Sequence, residues 1–445
     1  MSFDAFPFWV FLLAVWAVYL LLAGNTARKG LLIAASYVFY ASWAPAYLFL
    51  LAGVTAGSYW IGEIVGEGRR RAVLIAGVGA GVGVLAIAKG WLNPLPVGVS
   101  FYVLQAMAYT VDRYRGHLTG TRGLFDYALH MSFFPRLTAG PIVRADEFLP
   151  QLTKSPAVTG ALVWEALVLV TFGLFKKLVV ADNLALAVDP VFADLHASGS
   201  RILLATYGFA LQIYCDFSGY SDIAIGTARL FGYRLPMNFN WPYLSRNPAD
   251  FWRRWHISLS NWLRDYLYFS LPGLRAKSQV YTYVNLCITM LVCGLWHGAR
   301  WPYVAWGGYH GVMLACHHAF RARRSGGGVK KSGGLRALGS ILLMQQFAVA
   351  GWILFRVNRL SDLPQYARSL THGRFFTGFS AAEWTAVALL AGAGLVHLVE
   401  RRAPVTQAAV TRRWNPWVLT VLLVLALIMV AMSVPTQTMF LYFRF

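Results

Sequence analysis

A chain of 445 residues in which 58% are hydrophobic and only 13% carry charge is far more apolar than a soluble domain, where charged residues make up about a quarter. The apolar residues come in long blocks rather than in period-two alternation, which excludes water-soluble globular classes and an outer-membrane barrel and leaves an all-α, polytopic integral membrane protein. The net charge of +21 sits in short segments between blocks, where it meets anionic lipid head groups or draws in a phosphate-bearing substrate; nothing in it points to nucleic acid.

The first block, from Phe6 to Ala23, lacks a basic leader region and runs past Arg28 and Lys29 into more apolar sequence, so it reads as a retained span. Further blocks lie near residues 31–65, 72–89, 97–111, 125–141, 160–182, 201–232, 279–297, 302–320, 336–356, 381–399 and 415–433. Basic clusters at Arg28 and Lys29, Arg69 to Arg71, Arg321 to Arg324 with Lys330 and Lys331, and Arg401, Arg402, Arg412 and Arg413 can share one cytoplasmic side. Residues 31–65 then form an out-and-back hairpin, 336–356 and 381–399 form another, and both chain ends fall outside. A basic, Gly-rich loop over 321–335 divides a core of residues 1–320 from plain C-terminal spans over 336–445, which scaffold the core or bind a partner. The four cysteines, Cys215, Cys287, Cys293 and Cys316, show no metal-ligand spacing and read as packed thiols.

Polar side chains that persist inside apolar blocks mark paired or functional positions, because leaving them bare in hydrocarbon is costly. Three segments stand out. The first joins Gln105 and Asp112-Arg113-Tyr114-Arg115 to Phe134-Pro135-Arg136-Leu137-Thr138-Ala139-Gly140-Pro141-Ile142. Its prolines predict a broken or re-entrant element, with Arg136 either held in a structural pair with Asp112 or lining a substrate site. The second, Gln212 to Asp222, holds Asp216, Ser218, Tyr220, Ser221 and Asp222. Six-residue spacing sets Asp216 and Asp222 on different helical faces, which argues against a paired-carboxylate hydrolase. Hydrogen bonding to neighbouring arginines in a polar cavity fits better, for architecture or for substrate.

The third segment, Asn247 to Tyr268, repeats Trp252, Trp255, Leu259, Trp262 and Tyr266 every three to four residues, with Arg253, Arg254, Ser258, Asn261 and Asp265 on other faces. That spacing predicts one amphipathic helix carrying aromatic anchors, with His256 inside it. Beyond it, Cys293-Gly294-Leu295-Trp296-His297-Gly298-Ala299 closes a strongly apolar span. A histidine flanked by small residues has room around its ring, so His297 is a candidate general base. His310 and His317 can share a face of the next helix beside His318, but no carboxylate or cysteine completes a metal set.

The runs Tyr214 to Asp222, Asn247 to Tyr268 and Gly294 to Ala299, in that order and with Phe134-Pro135 and Ala139-Gly140-Pro141-Ile142, resemble the membrane-bound O-acyltransferase family over about residues 5–320. Within it they are similar to the bacterial branch of alginate O-acetylation and teichoic-acid D-alanylation. The resemblance implies a helical core with re-entrant and amphipathic elements around a tunnel, entered by an acyl donor from the cytoplasm and by an acceptor from outside. His297 matches the family's essential histidine and His256 its second one, which orients the donor or stabilises the oxyanion. Trp296, Asn261, Ser258, Arg254, Asp216, Tyr220 and Arg136 are the substrate-binding candidates beside them.

The residues offer no metal set, and the same resemblance implies no tightly bound cofactor, with acetyl-CoA as acyl-CoA donor. Its partners would be an extracytoplasmic acyl-acceptor protein or transferase, an exported glycan such as an alginate-like exopolysaccharide or peptidoglycan, and the lipids of a bacterial inner membrane. The rival expectations are D-alanyl transfer from a carrier protein docked on the basic face, a transporter or flippase, for which no inverted repeat is visible, and a structural subunit in which both histidines are dispensable.

Overall fold

In a membrane every backbone polar group must be satisfied within the protein, and a chain of apolar blocks meets that demand by forming helices. The computed structural model describes residues 1–402 apart from 4, 44, 69, 93–94, 119–122, 195, 274–277, 325–333 and 373–377; beyond 402 it describes 420–421, 424 and 427–429. All regular structure among the described residues is helical. Among the described residues, four helices are long and apolar enough to cross a membrane: Pro45–Gly66, Arg71–Trp91, Gln279–His297 and Leu335–Arg356. The chain divides into two compact units.

Unit 1 comprises Met1–Leu174 and Tyr220–Met237. It contains α1 (Phe6–Leu21), α2 (Asn25–Ala41), α3 (Leu48–Gly68), α4 (Arg71–Trp91), α5 (Val99–Arg115), α6 (Leu124–Ser132), α7 (Phe134–Leu137), α8 (Ala145–Phe148) and α9 (Gly160–Leu174). The expected hairpin over 31–65 is α2 and α3, joined across a short 3-10 turn at Pro45–Tyr47. The block 125–141 is broken as expected: α6 stops at Ser132, and α7 restarts with Pro135 in its first turn, where a missing N–H costs nothing. Inside the unit, Arg113 pairs with Glu63 at 3.1 Å and the Tyr109 hydroxyl donates to the same carboxylate, so these polar groups are satisfied locally.

Unit 2 comprises Phe175–Gly219 and Asn238–Phe445. A π-helical turn at Phe175–Ala181 leads into α10 (Asp182–Ala193) and the 32-residue α11 (Gly199–Leu230), whose last part belongs to unit 1. Then come α12 (Pro248–Trp252), α13 (Ile257–Trp262), α14 (Gln279–His297), α15 (Trp301–Arg324), α16 (Leu335–Arg356), α17 (Leu363–His372) and α18 (Ala381–Arg402).

Several expectations need correction. The segment Asn247 to Tyr268 is not one helix: α12 ends at Trp252, His256 takes a left-handed backbone (φ 41°), α13 starts afresh at Ile257, and a π-helical turn follows at Leu263–Leu267. Its aromatic residues are core rather than interfacial anchors, since Trp252, Trp255, Trp262 and Tyr266 are all buried. Arg136 does not pair with Asp112; it donates to Gln105 Oε1 at 2.7 Å and to the His130 backbone carbonyl, with the His130 ring beside it. Cys215 and Cys293 are buried, as packed thiols should be, but Cys316 is exposed. The expected span 415–433 and the Gly-rich loop fall mostly outside the described residues.

Candidate active site

The site of unit 2 is built on a tight helical hairpin. At Gly294 a Cβ would lie 2.2 Å from the Tyr303 carbonyl oxygen, and at Gly307 it would lie 2.3 Å from the Met290 carbonyl oxygen, so only glycine lets the backbones of α14 and α15 approach this closely. Gly307 and Gly311 are four apart and face α14 together, the small-residue pattern that brings membrane helices into backbone contact. This packing carries Trp306 to the end of α14, where its ring stands edge-on to His297 at 5.2 Å. Phe355 of α16 closes another side at 5.1 Å, and the neighbouring Trp296 a third at 4.9 Å. His297 is thus a largely buried imidazole in an aromatic cage.

Trp296 also lies 6.2 Å from the ring of His256, so one tryptophan touches both histidines. His256 is 1% exposed, with Phe217 edge-on at 4.8 Å and Phe239 stacked at 6.5 Å. Burial pushes its pKa down to about 3, so the ring is neutral across the physiological range. A left-handed non-glycine residue persists only where its surroundings over-determine it. Here they do: the Asn238 carbonyl accepts from the Ile257 N–H at 2.8 Å, the Arg254 carbonyl accepts from the Asn240 N–H at 2.9 Å, and Asn238 Oδ1 bonds the His256 ring at 3.0 Å. Residues 238–240 thereby clamp the chain on both sides of His256.

The other sequence-predicted residues divide between the units. In unit 2, Ser258 joins the Asn238 clamp, donating from its N–H at 3.2 Å and its hydroxyl at 2.9 Å. Arg254 braces the same loop through Asp250 at 3.1 Å and the Asn240 carbonyl, while Asn261 is half-buried on α13. Asp216 is paired with a lysine, not the expected arginine: Lys177 Nζ lies 2.9 Å from Asp216 and 2.8 Å from Asp182, all three buried. Lys177 comes from the π-helical turn, a distortion frequent at functional sites, and it anchors α11 one residue before Phe217, the aromatic neighbour of His256. In unit 1, the Tyr220 hydroxyl bonds that of Thr138 and its ring stacks on Phe3, while Arg136 lies over Phe148.

Sequence reasoning passed over Asn238, Phe217, Trp306, Trp352 and Phe355. Trp352 stands 6.1 Å from Trp306 and donates its indole N–H to the Tyr243 hydroxyl at 3.0 Å. The supposedly plain span α16 therefore completes the cage. His310 is also enclosed, with Trp306 at 5.0 Å and Trp252 at 5.2 Å, but no group of histidine, cysteine, aspartate or glutamate that could hold a metal ion occurs among the described residues.

A helical membrane protein with two buried histidines against one tryptophan is equipped for proton transfer in a dry site. The sequence matches the membrane-bound O-acyltransferase family over residues 82–342. It is 38% identical over 378 residues to a probable alginate O-acetylase, AlgI, of Pseudomonas fluorescens, an alignment covering 82% of this chain and 72% of that protein. A peptidoglycan O-acetyltransferase of Helicobacter pylori is 35% identical over 74% of this chain and 71% of its own length, and a teichoic acid D-alanyltransferase of Streptococcus thermophilus 30% identical over 54% and 61%. The chain belongs to the membrane-bound O-acyltransferase family and is an O-acyltransferase.

Proposed function

We propose that this protein moves an acetyl group from cytoplasmic acetyl-CoA across the inner membrane for O-acetylation of an exported polysaccharide, by way of an extracytoplasmic acceptor protein or transferase. The observation that carries the proposal is His297 at the end of α14, held in a cage of Trp296, Trp306 and Phe355, with the His256 ring 6.2 Å from the same Trp296. Relatives named for alginate and for peptidoglycan acetylation support acetyl as the acyl group and a glycan as the class of final acceptor.

In this reading His297 takes the proton of the acceptor hydroxyl as its oxygen attacks the thioester carbonyl. The new C–O bond forms, the C–S bond breaks, and the departing thiolate recovers the proton from the imidazolium, giving an ester and free coenzyme A. Positioned proton transfer of this kind is worth about 10² to 10⁴ in rate. His256, on the same tryptophan, acts on a bound substrate. Asp216, Arg254, Ser258 and Asn261, all in the unit that carries the two histidines, shape the surroundings of the bound substrates.

The test is transfer of radiolabelled acetyl from acetyl-CoA into glycan or acceptor protein in sealed vesicles carrying the protein. Label recovered on the side opposite the donor supports the reading. No acetyl transfer, together with D-alanyl transfer from a charged carrier protein, would replace it with the reaction for which the more distant relative is named.

A further inference from the structure

The clamp around His256 fixes more than its backbone, and it decides which ring nitrogen carries the proton. Asn238 Oδ1 receives the Ser258 backbone N–H at 3.2 Å. A backbone N–H can only donate, so the Asn238 atom at that position is its oxygen and not its nitrogen, whichever way the amide is drawn. The same oxygen lies 3.0 Å from His256 Nδ1. An amide oxygen can only accept, so Nδ1 must bear a hydrogen. In a neutral imidazole the proton on one nitrogen leaves a lone pair on the other.

We infer that Asn238 is a positioning residue that holds His256 as the Nδ1–H tautomer, so that Nε2 presents a lone pair and accepts a hydrogen bond or a proton from a substrate O–H, N–H or S–H. The inference rests on the acyl-transfer reading for the identity of that substrate, but not for the placing of the proton. It separates the two roles the sequence left to His256. A neutral ring with a bare Nε2 cannot donate to an oxyanion, so oxyanion stabilisation falls to other groups, and His256 orients a proton-bearing substrate or receives its proton. Asn238 is 1% exposed and the peptide after His256 bonds its own backbone carbonyl, so oxygen and ring are held in register from two sides.

The experiment uses the full chain in lipid vesicles with ring-15N histidine, the His256 signals being assigned by their disappearance in His256→Gln, and acetyl transfer measured on the same samples. Wild type is expected to show a protonated Nδ1 and an unprotonated Nε2 at His256. Asn238→Asp keeps the accepting oxygen and is expected to keep both the pattern and most of the transfer. Asn238→Ala is expected to mix the tautomers and to lower transfer on the order of 10²-fold, the worth of one positioned proton-transfer group. A protonated Nε2 with a bare Nδ1 in wild type overturns the inference, as does Asn238→Ala with unchanged tautomer and rate. Wild type that shows the expected pattern but transfers no acetyl supports the placing of the proton while removing the acetyl-transfer reading.

Discussion

The α14–α15 hairpin offers a perturbation whose two arms differ by one residue. A Cβ at Gly307 would sit 2.3 Å from the Met290 carbonyl oxygen and 3.1 Å from its carbon, whereas at the adjacent Gly308 the nearest atom is a Leu291 methyl at 3.6 Å. A relaxed C···O contact is about 3.3 Å, so Gly307→Ala must part the helices by roughly 1 Å. Overpacking of this kind costs about 1–3 kcal/mol, against a gain of about 1 kcal/mol in helix propensity that both substitutions share. Trp306 neighbours Gly307 and stands 5.2 Å from His297, so the shift reaches the cage directly. Misplacement by about 1 Å can cost 10²-fold in rate. Gly307→Ala should therefore melt below wild type in detergent and lose transfer by about that factor, while Gly308→Ala melts at or above wild type and transfers normally. Equal melting and equal transfer in the two variants would show that the close crossing does not set the cage.

Three further outcomes follow from the same geometry. Lys177→Met strands two buried carboxylates and should lower stability by about 3–5 kcal/mol in a thermal melt, with Lys177→Met/Asp182→Asn/Asp216→Asn recovering much of the loss; no recovery would mean the triad is not electrostatically coupled. His256→Gly relieves the left-handed strain, worth about 1–3 kcal/mol, so it should melt above His256→Ala while both transfer poorly; a lower melt for the glycine variant would contradict the strained backbone. Phe355→Ala removes a wall of the His297 cage at a position beyond the family match and should cost about 3–5 kcal/mol along with transfer; wild-type transfer would remove Phe355 from the site.

Much of this was legible in the residues. Apolar block length located most helices, and the prolines of 125–141 announced the break between α6 and α7. The segment Asn247 to Tyr268 misled because its aromatic spacing stays in helical phase while the chain turns at His256. The force behind that turn is a tertiary clamp from Asn238, eighteen residues upstream, which no local periodicity encodes. Searching for polar residues in apolar sequence singled out His256 and His297 but not the rings around them, because Trp306, Trp352 and Phe355 are the ordinary composition of a membrane span. Assigning charges to the nearest opposite charge failed for Arg136, whose hydrogen bonds go to neutral acceptors, and for Asp216, whose cation lies thirty-nine residues away on a π-helical turn.

In the proposed reaction His297 removes the acceptor's proton, and the chemistry depends on that step. It is tested most directly by acetyl transfer in vesicles carrying His297→Ala and His297→Gln, each matched to wild type in expression and melting temperature. Both variants are expected to fall to background, since neither side chain can take a proton; transfer near the wild-type rate in either folded variant would rule that role out.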